Sequence, residues 1–534
     1  MGYASALPSS NTGGLTKSGS GTLTLSAANA YTGTTTVSNG TLALSGSGTL
    51  GNSANDLTVN GGILDLATHG QSVGAVTLSS GSLGSTGGAA TLTGTSYALQ
   101  GGTVDTNVAL GGTGTTVSVS TGSTTLNGTA ASNTVNISSG TLTLGASNRL
   151  SDSAAVTVSG GTLAIGANSD TVGAVALTGG SVTGSGGTLT GSSYDARSGS
   201  ASAILGGSGA LSKSTGGTVT LSGANTYSGG TTVSAGTLAL SGGNNRLSTS
   251  GAIGVNGGTF DLGGNSQTTS AGITLSSGTI SNGTLDGGSY AVSGGTLSGT
   301  LSGSGAMTVS GSATLSGANT GWSGTTAINS GTLTAGHNSA LGSGAVTVNS
   351  GGTLDVASHT IANALTLSSG TVSGSSGSLS GTVSGTGTLT GPLTLTASSI
   401  YSLASLANSG VGSKLTLGSG ATLTLNDSFS LSVASIAISA FNTSQNQSWT
   451  VIDGSAGTIT ATASNFTVNG TSNFSGLGTF STTLAGNTLT LDFLSASAVP
   501  EPSTYAAILG AFALAGAAVR RRRQSRKSAA PARA

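Results

Sequence analysis

Short stretches of strict apolar–polar alternation recur along this chain, as in Thr41-Leu42-Ala43-Leu44 and Thr141-Leu142-Thr143-Leu144. Alternation at period two marks a strand with one buried face, and Gly, Ser and Asn bound these stretches as turn residues. A step of Gly, then Ser, Thr or Ile, then an apolar residue begins at Gly40, Gly62, Gly81, Gly102, Gly122 (degenerate), Gly140, Gly161 and Gly180. The steps are nearly even, each about 20 residues, the lower end of the size range of solenoid repeats. A strand–turn unit of that size cannot bury its own apolar face, so it must stack on the next copy. The pattern predicts an all-β fold, a parallel β-solenoid whose coils bond to the coils above and below. Inward Leu, Val, Ile and Ala would stack into narrow ladders. Gly and Asn would supply the positive φ of the corners.

A longer period overlies the short one. Leu15–Leu44 aligns without a gap to Leu211–Leu240, and Met307–Ala335 is a third copy with one inserted residue and Trp322 in place of tyrosine. GGILDL at Gly61, GGTLAI at Gly160, GGTFDL at Gly257 and GGTLDV at Gly351 recur at nearly equal intervals. Tyr97, Tyr194 and Tyr290 keep step. The Leu25–Leu44 and Leu221–Leu240 segments resemble the autotransporter-associated β-strand repeat of bacterial passenger domains. That resemblance implies a right-handed β-helix. No outer-membrane barrel pattern of alternating segments follows.

Beyond Ser398 the period fades and aromatics gather: Phe441, Trp449, Phe466, Phe474, Phe480 and Phe493. A solenoid end exposes unpaired edges, so a distinct β-rich cap is expected there. The expected order is an irregular start at 1–14, a solenoid of about four units at 15–397, a cap and linker at 398–498, and a tail at 499–534.

That tail reads VPEPSTYAAILGAFALAGAAVRRRRQSRKSAAPARA. Thr504–Val519 is an uncharged apolar run of 16 residues, which as a helix would reach roughly 24 Å, just short of a bilayer's hydrocarbon core. It reads as a membrane-anchor helix closed by Arg520, Arg521, Arg522 and Arg523, which favour the cytoplasmic side. Val499, Pro500, Glu501 and Pro502, followed by the apolar run and the arginines, resemble the PEP-CTERM sorting signal of exported Gram-negative proteins. The resemblance implies an exosortase-type partner in the inner membrane, tail removal, and passage to the cell surface or matrix. The two prolines would hold an extended segment within that enzyme's reach.

Charge and chemistry narrow the reading. The chain has 13 basic and 13 acidic residues. Seven of the basic ones lie in the tail, leaving six against 12 aspartates in the body. An acidic, lysine-poor body is a poor nucleic-acid binder. The first ten residues carry neither a basic nor an apolar segment, so no signal peptide is expected and a truncated start fits.

Asp65, Asp261 and Asp355 share one repeat position and read as turn residues spaced too far apart for a catalytic dyad. His69, His337 and His359 are scattered, so no metal site or cofactor is expected. Arg149 with Asp152, and Asp195 with Arg197, read as surface pairs. Asn29, Asn225 and Asn319, each followed by Tyr31, Tyr227 or Trp322, offer two readings: turns with covering aromatics, or platforms for sugar rings. The expectation is a non-enzymatic, exported structural or adhesin-like protein that meets surface glycans. A carbohydrate-active enzyme on a β-helix, or a fragment of a larger passenger, is the alternative.

Overall fold

The computed structural model describes residues 2–3, 5–396, 399–408, 412–426, 428–461, 463, 466–496 and 502–525. They form two compact units, 1–344 and 345–534, each built mainly of short parallel strands.

In the first unit successive coils pair in register at the short interval seen in the sequence. One inward ladder runs Thr35, Leu57, Val76, Tyr97, Val117, Val135, Val156, Val175, Tyr194, Leu211 and Thr231. It continues through Ile253, Ile273, Tyr290, Met307 and Thr326. A second face stacks Leu23, Leu42, Leu64, Leu83, Val104 and Leu126 in the same way. These side chains are buried or nearly so, whereas their alternating neighbours face outward. A period-two sequence thus becomes a stack in which each coil buries its neighbour's apolar edge. The fold is the expected β-solenoid.

Corners dictate the glycines. Gly122 sits at φ +59°, and a Cβ there would lie 1.8 Å from the Gln100 carbonyl oxygen of the previous coil. Only glycine supplies both the left-handed backbone and the clearance. Two lysines, Lys17 and Lys213, interrupt the aliphatic ladders and are buried. Their ammonium groups donate to corner carbonyls: Lys17 to Gly19 and Asn39, Lys213 to Thr215 and Ala235. Burial lowers the Lys213 pKa.

The second unit also coils in parallel, and its ladder Val346, Leu365, Val383, Tyr401, Leu431, Val468 passes the boundary expected at 398. The chain between rungs lengthens from Tyr401 to Leu431, and again from Leu431 to Val468. Long excursions between strands therefore hide a period that the backbone keeps. The cap proper is the antiparallel set Gln447–Asp453, Gly478–Ala485 and Thr488–Ser495, with the last strand in the middle. Phe441, Trp449, Phe474, Phe480 and Phe493 form its core; the Phe441 and Trp449 rings lie 4.8 Å apart and those of Phe480 and Phe493 5.0 Å apart. Phe466 joins Phe429 instead, at 5.6 Å.

Candidate functional site

Three sequence-derived candidates resolve differently. The aspartates of the shared repeat position each cap their own turn. Asp65 accepts from the Ala67 and Thr86 N–H groups and from the Thr86 hydroxyl, at 2.9, 3.0 and 2.6 Å. Asp261 accepts from the Gly263 N–H and the Asn282 amide, and Asp355 from the Ala357 N–H. Partial burial alone would raise the Asp65 pKa, but the Thr86 and Ala67 hydrogen bonds outweigh it and hold the carboxyl below the usual range. Such carboxylates are engaged in turn geometry. Asp195 and Arg197 form an exposed ion pair at 2.7 Å. Arg149 instead donates to the Asn127 and Ser147 carbonyls.

The aromatic candidates are interior. Tyr31, Tyr227 and Trp322 are 0–1% exposed, so no ring is presented to a sugar. Tyr31 and Thr35 share a 2.6 Å hydrogen bond, and Tyr227 and Thr231 share the equivalent bond at 2.7 Å. In the third copy Trp322 has no hydroxyl, and its Nε1 donates to the Gly305 carbonyl at 2.9 Å. The equivalent threonine, Thr326, is consequently left with a buried hydroxyl that has no partner. Replacing it by valine is expected to be neutral or stabilising by about 1 kcal/mol, because an unmet polar group is removed at constant shape. The same change at Thr231 is expected to destabilise by a similar amount, as it strands the Tyr227 hydroxyl. Thermal unfolding of the two variants beside the parent protein measures the contrast.

Asn29, Asn225 and Asn319 are buried beside these rings. Each accepts an N–H from the preceding coil, given by Leu7, Leu205 and Leu301 respectively, and donates to a carbonyl of the following one, at Thr49, Arg246 and Ala340. They serve as side-chain rungs where backbone pairing lapses at the corner.

At the C-terminal end, Val499, Pro500 and Glu501 lie outside the described residues. Pro502 opens a helix that runs to Ser525. The extended conformation expected of Pro502 is therefore corrected: at the first helical position its missing N–H costs nothing and its fixed φ suits the turn. Phe512, Leu514 and Val519 are 75, 73 and 60% exposed, and Arg520, Arg521 and Arg522 are exposed; Arg523 continues the helix. No helix among the described residues is long and apolar enough to cross a membrane. The helix expected over this segment is present, but its reading as a membrane anchor is not shown. Its apolar run is 16 residues, shorter than the ~20 that a bilayer core requires.

Comparison with known families matches both ends of this description. Residues 15–44, 137–165, 211–240 and 300–335 match the passenger-associated-transport-repeat family. Residues 498–523 match the PEP-CTERM protein-sorting motif. The chain carries passenger-associated transport repeats and a PEP-CTERM sorting motif. No curated protein matches it, and neither does any solved structure.

The transport repeat at 137–165 escaped the sequence reading because its marker residues differ. Asn148 and Leu150 stand where the first repeat has Asn29 and Tyr31. The pentapeptide Gly140-Thr141-Leu142-Thr143-Leu144, identical to Gly21-Thr22-Leu23-Thr24-Leu25 and likewise followed four residues on by an asparagine, was the available signal. Asn148 takes φ +56° and Leu150 fills the interior. The PEP-CTERM motif implies export to the cell surface and processing by exosortase-type machinery.

Proposed function

We propose that this protein is a non-catalytic structural element of the cell surface or extracellular matrix. In this reading the solenoid displays a sparsely charged Ser/Thr face to neighbouring cells or surface glycans. The single observation that carries it is the join of transport repeats to a sorting motif in one chain. Two features support the structural side: the repeat-position aspartates are occupied in capping turns, and the conspicuous aromatics are interior. The tail meets the inner membrane only during processing. Its apolar helix is short, so the exosortase-type enzyme, rather than lipid alone, holds it there.

The test replaces Pro500, Glu501 and Pro502 by alanine in the producing cell. The variant is expected to stay in the envelope with its Arg520–Arg523 segment intact by mass spectrometry, and to disappear from the surface. Unchanged surface display and unchanged C-terminal trimming would refute the sorting role. A reducing-end assay on acidic and neutral polysaccharides addresses catalysis; turnover that is lost on replacing one aspartate would overturn the structural reading.

A further inference from the structure

One gap in the backbone pairing recurs on the third side of the first unit, and six buried side chains close it. The N–H groups of Leu7, Leu50, Leu205, Leu247 and Leu301 donate to the side-chain oxygens of Asn29, Gln71, Asn225, Gln267 and Asn319, at 2.7–3.0 Å. Each of these residues is an amide, and each then donates through its nitrogen to a carbonyl. The sixth member is Asp170. The Arg149 and Leu150 N–H groups donate to its Oδ2 at 2.7 and 3.2 Å. Asp170 is 2% exposed, and its Oδ1 has no hydrogen-bond partner.

Asp170 and Gln267 are separated along the chain by the same interval as Leu150 and Leu247, so the two sites are the same place in successive repeats. Gln267 Nε2 donates to the Leu247 carbonyl at 3.1 Å and to the Thr268 carbonyl at 2.8 Å. Where glutamine offers a donor, Asp170 offers an oxygen. An ionised carboxylate only accepts, whereas the acid form carries one O–H donor. Burying an ionised oxygen with no donor is far costlier than burying a hydroxyl that can donate.

We propose that Asp170 is held as the neutral carboxylic acid, its proton on the otherwise unpartnered Oδ1, and that its ionisation is a pH-sensitive catch in this coil. The charged groups acting on it are Arg149 and Asp152, both from the preceding coil. The following coil pairs Leu189 and Thr190 against Asp170 and Thr171 and brings no titratable group there. Burial pushes the Asp170 pKa up and Asp152 adds to this; the Arg149 and Leu150 N–H bonds and the Arg149 charge oppose without cancelling it. A carboxyl with a raised folded-state pKa stabilises the fold most in acid. That contribution falls as pH climbs from the ordinary aspartate range through the folded value.

The test compares the full chain with its Asp170→Asn variant, which restores the donor found at the five sister sites. The variant's denaturation midpoint is expected to exceed the parent's at neutral pH, with the gap closing to nothing as the pH drops to about 4, where ordinary aspartate titrates. A variant whose midpoint is lower, or displaced equally at every pH, would overturn the proposal. Infrared spectroscopy of the parent keeps the test decisive should the variant fold poorly. A carboxylic-acid C=O band should persist in the parent after the other aspartates have ionised, and its absence would equally defeat the assignment.

Discussion

Replacing Trp322 by alanine is expected to destabilise its coil by about 3–5 kcal/mol, the usual cost of emptying a buried large aromatic site. Trp322 is 0% exposed, stands edge-on to Tyr290 with ring centroids 6.1 Å apart, and bonds Gly305 through its indole nitrogen. The alanine variant loses the packing, the ring contact and the indole hydrogen bond together. Because each coil touches mainly its neighbours, the loss should be local. Native-state hydrogen exchange would register it as faster exchange in the coils around Leu301–Leu341, with the coils near Val117 unchanged. Trp322→Tyr is the informative control. It restores the residue of the other copies and returns a hydroxyl to Thr326, so its cost should be much smaller. A cost below about 1 kcal/mol for Trp322→Ala would mean that the interior collapses around the gap.

The second large effect concerns Asn319. Its Oδ1 accepts from Leu301 at 2.7 Å and its Nδ2 donates to Ala340 at 2.6 Å, in a site that is 0% exposed. Asn319→Leu preserves size and strands one donor and one acceptor away from water. Each stranded group costs about 1–3 kcal/mol, giving about 2–6 kcal/mol in all. Asn319→Asp should keep the Leu301 bond and, as the neutral acid, can donate to Ala340, so in acid it should cost less than the leucine change. Ionisation removes that donor, so it should grow costlier as pH rises. Chemical denaturation of the three proteins at acid and neutral pH separates these outcomes. Equal stability of Asn319→Leu and the parent would show that the corner does not depend on side-chain rungs.

The site residues divide by what a one-dimensional pattern can carry. Asp65, Asp261 and Asp355 were legible as turn residues, because an aspartate two positions before Ala67, Gly263 and Ala357 bonds locally, through the N–H two residues on. The roles of Tyr31 and Trp322 were legible only as a preference for the covered corner, because an aromatic after an asparagine also suits an exposed platform. The cap's membership was legible only as composition. Phe466 counted with the other aromatics along the chain, yet it packs against Phe429 rather than into the cluster around Phe441.

By itself the sequence determined the coil, its regular interval, the repeat unit and the sorting motif, since periodicity and short contiguous motifs are local properties of a chain. Tertiary structure alone decided which polar groups sit in the dry interior. Asn29, Gln71, Asp170 and Lys213 look like ordinary surface residues in the linear string. They are buried because corners interrupt the backbone ladder, and an unpaired N–H or C=O there must be met by a side chain from the same or a neighbouring coil. That partner lies a whole coil away along the chain, as Asn225 does from Leu205 and Gln267 from Leu247, a separation that only folding converts into contact.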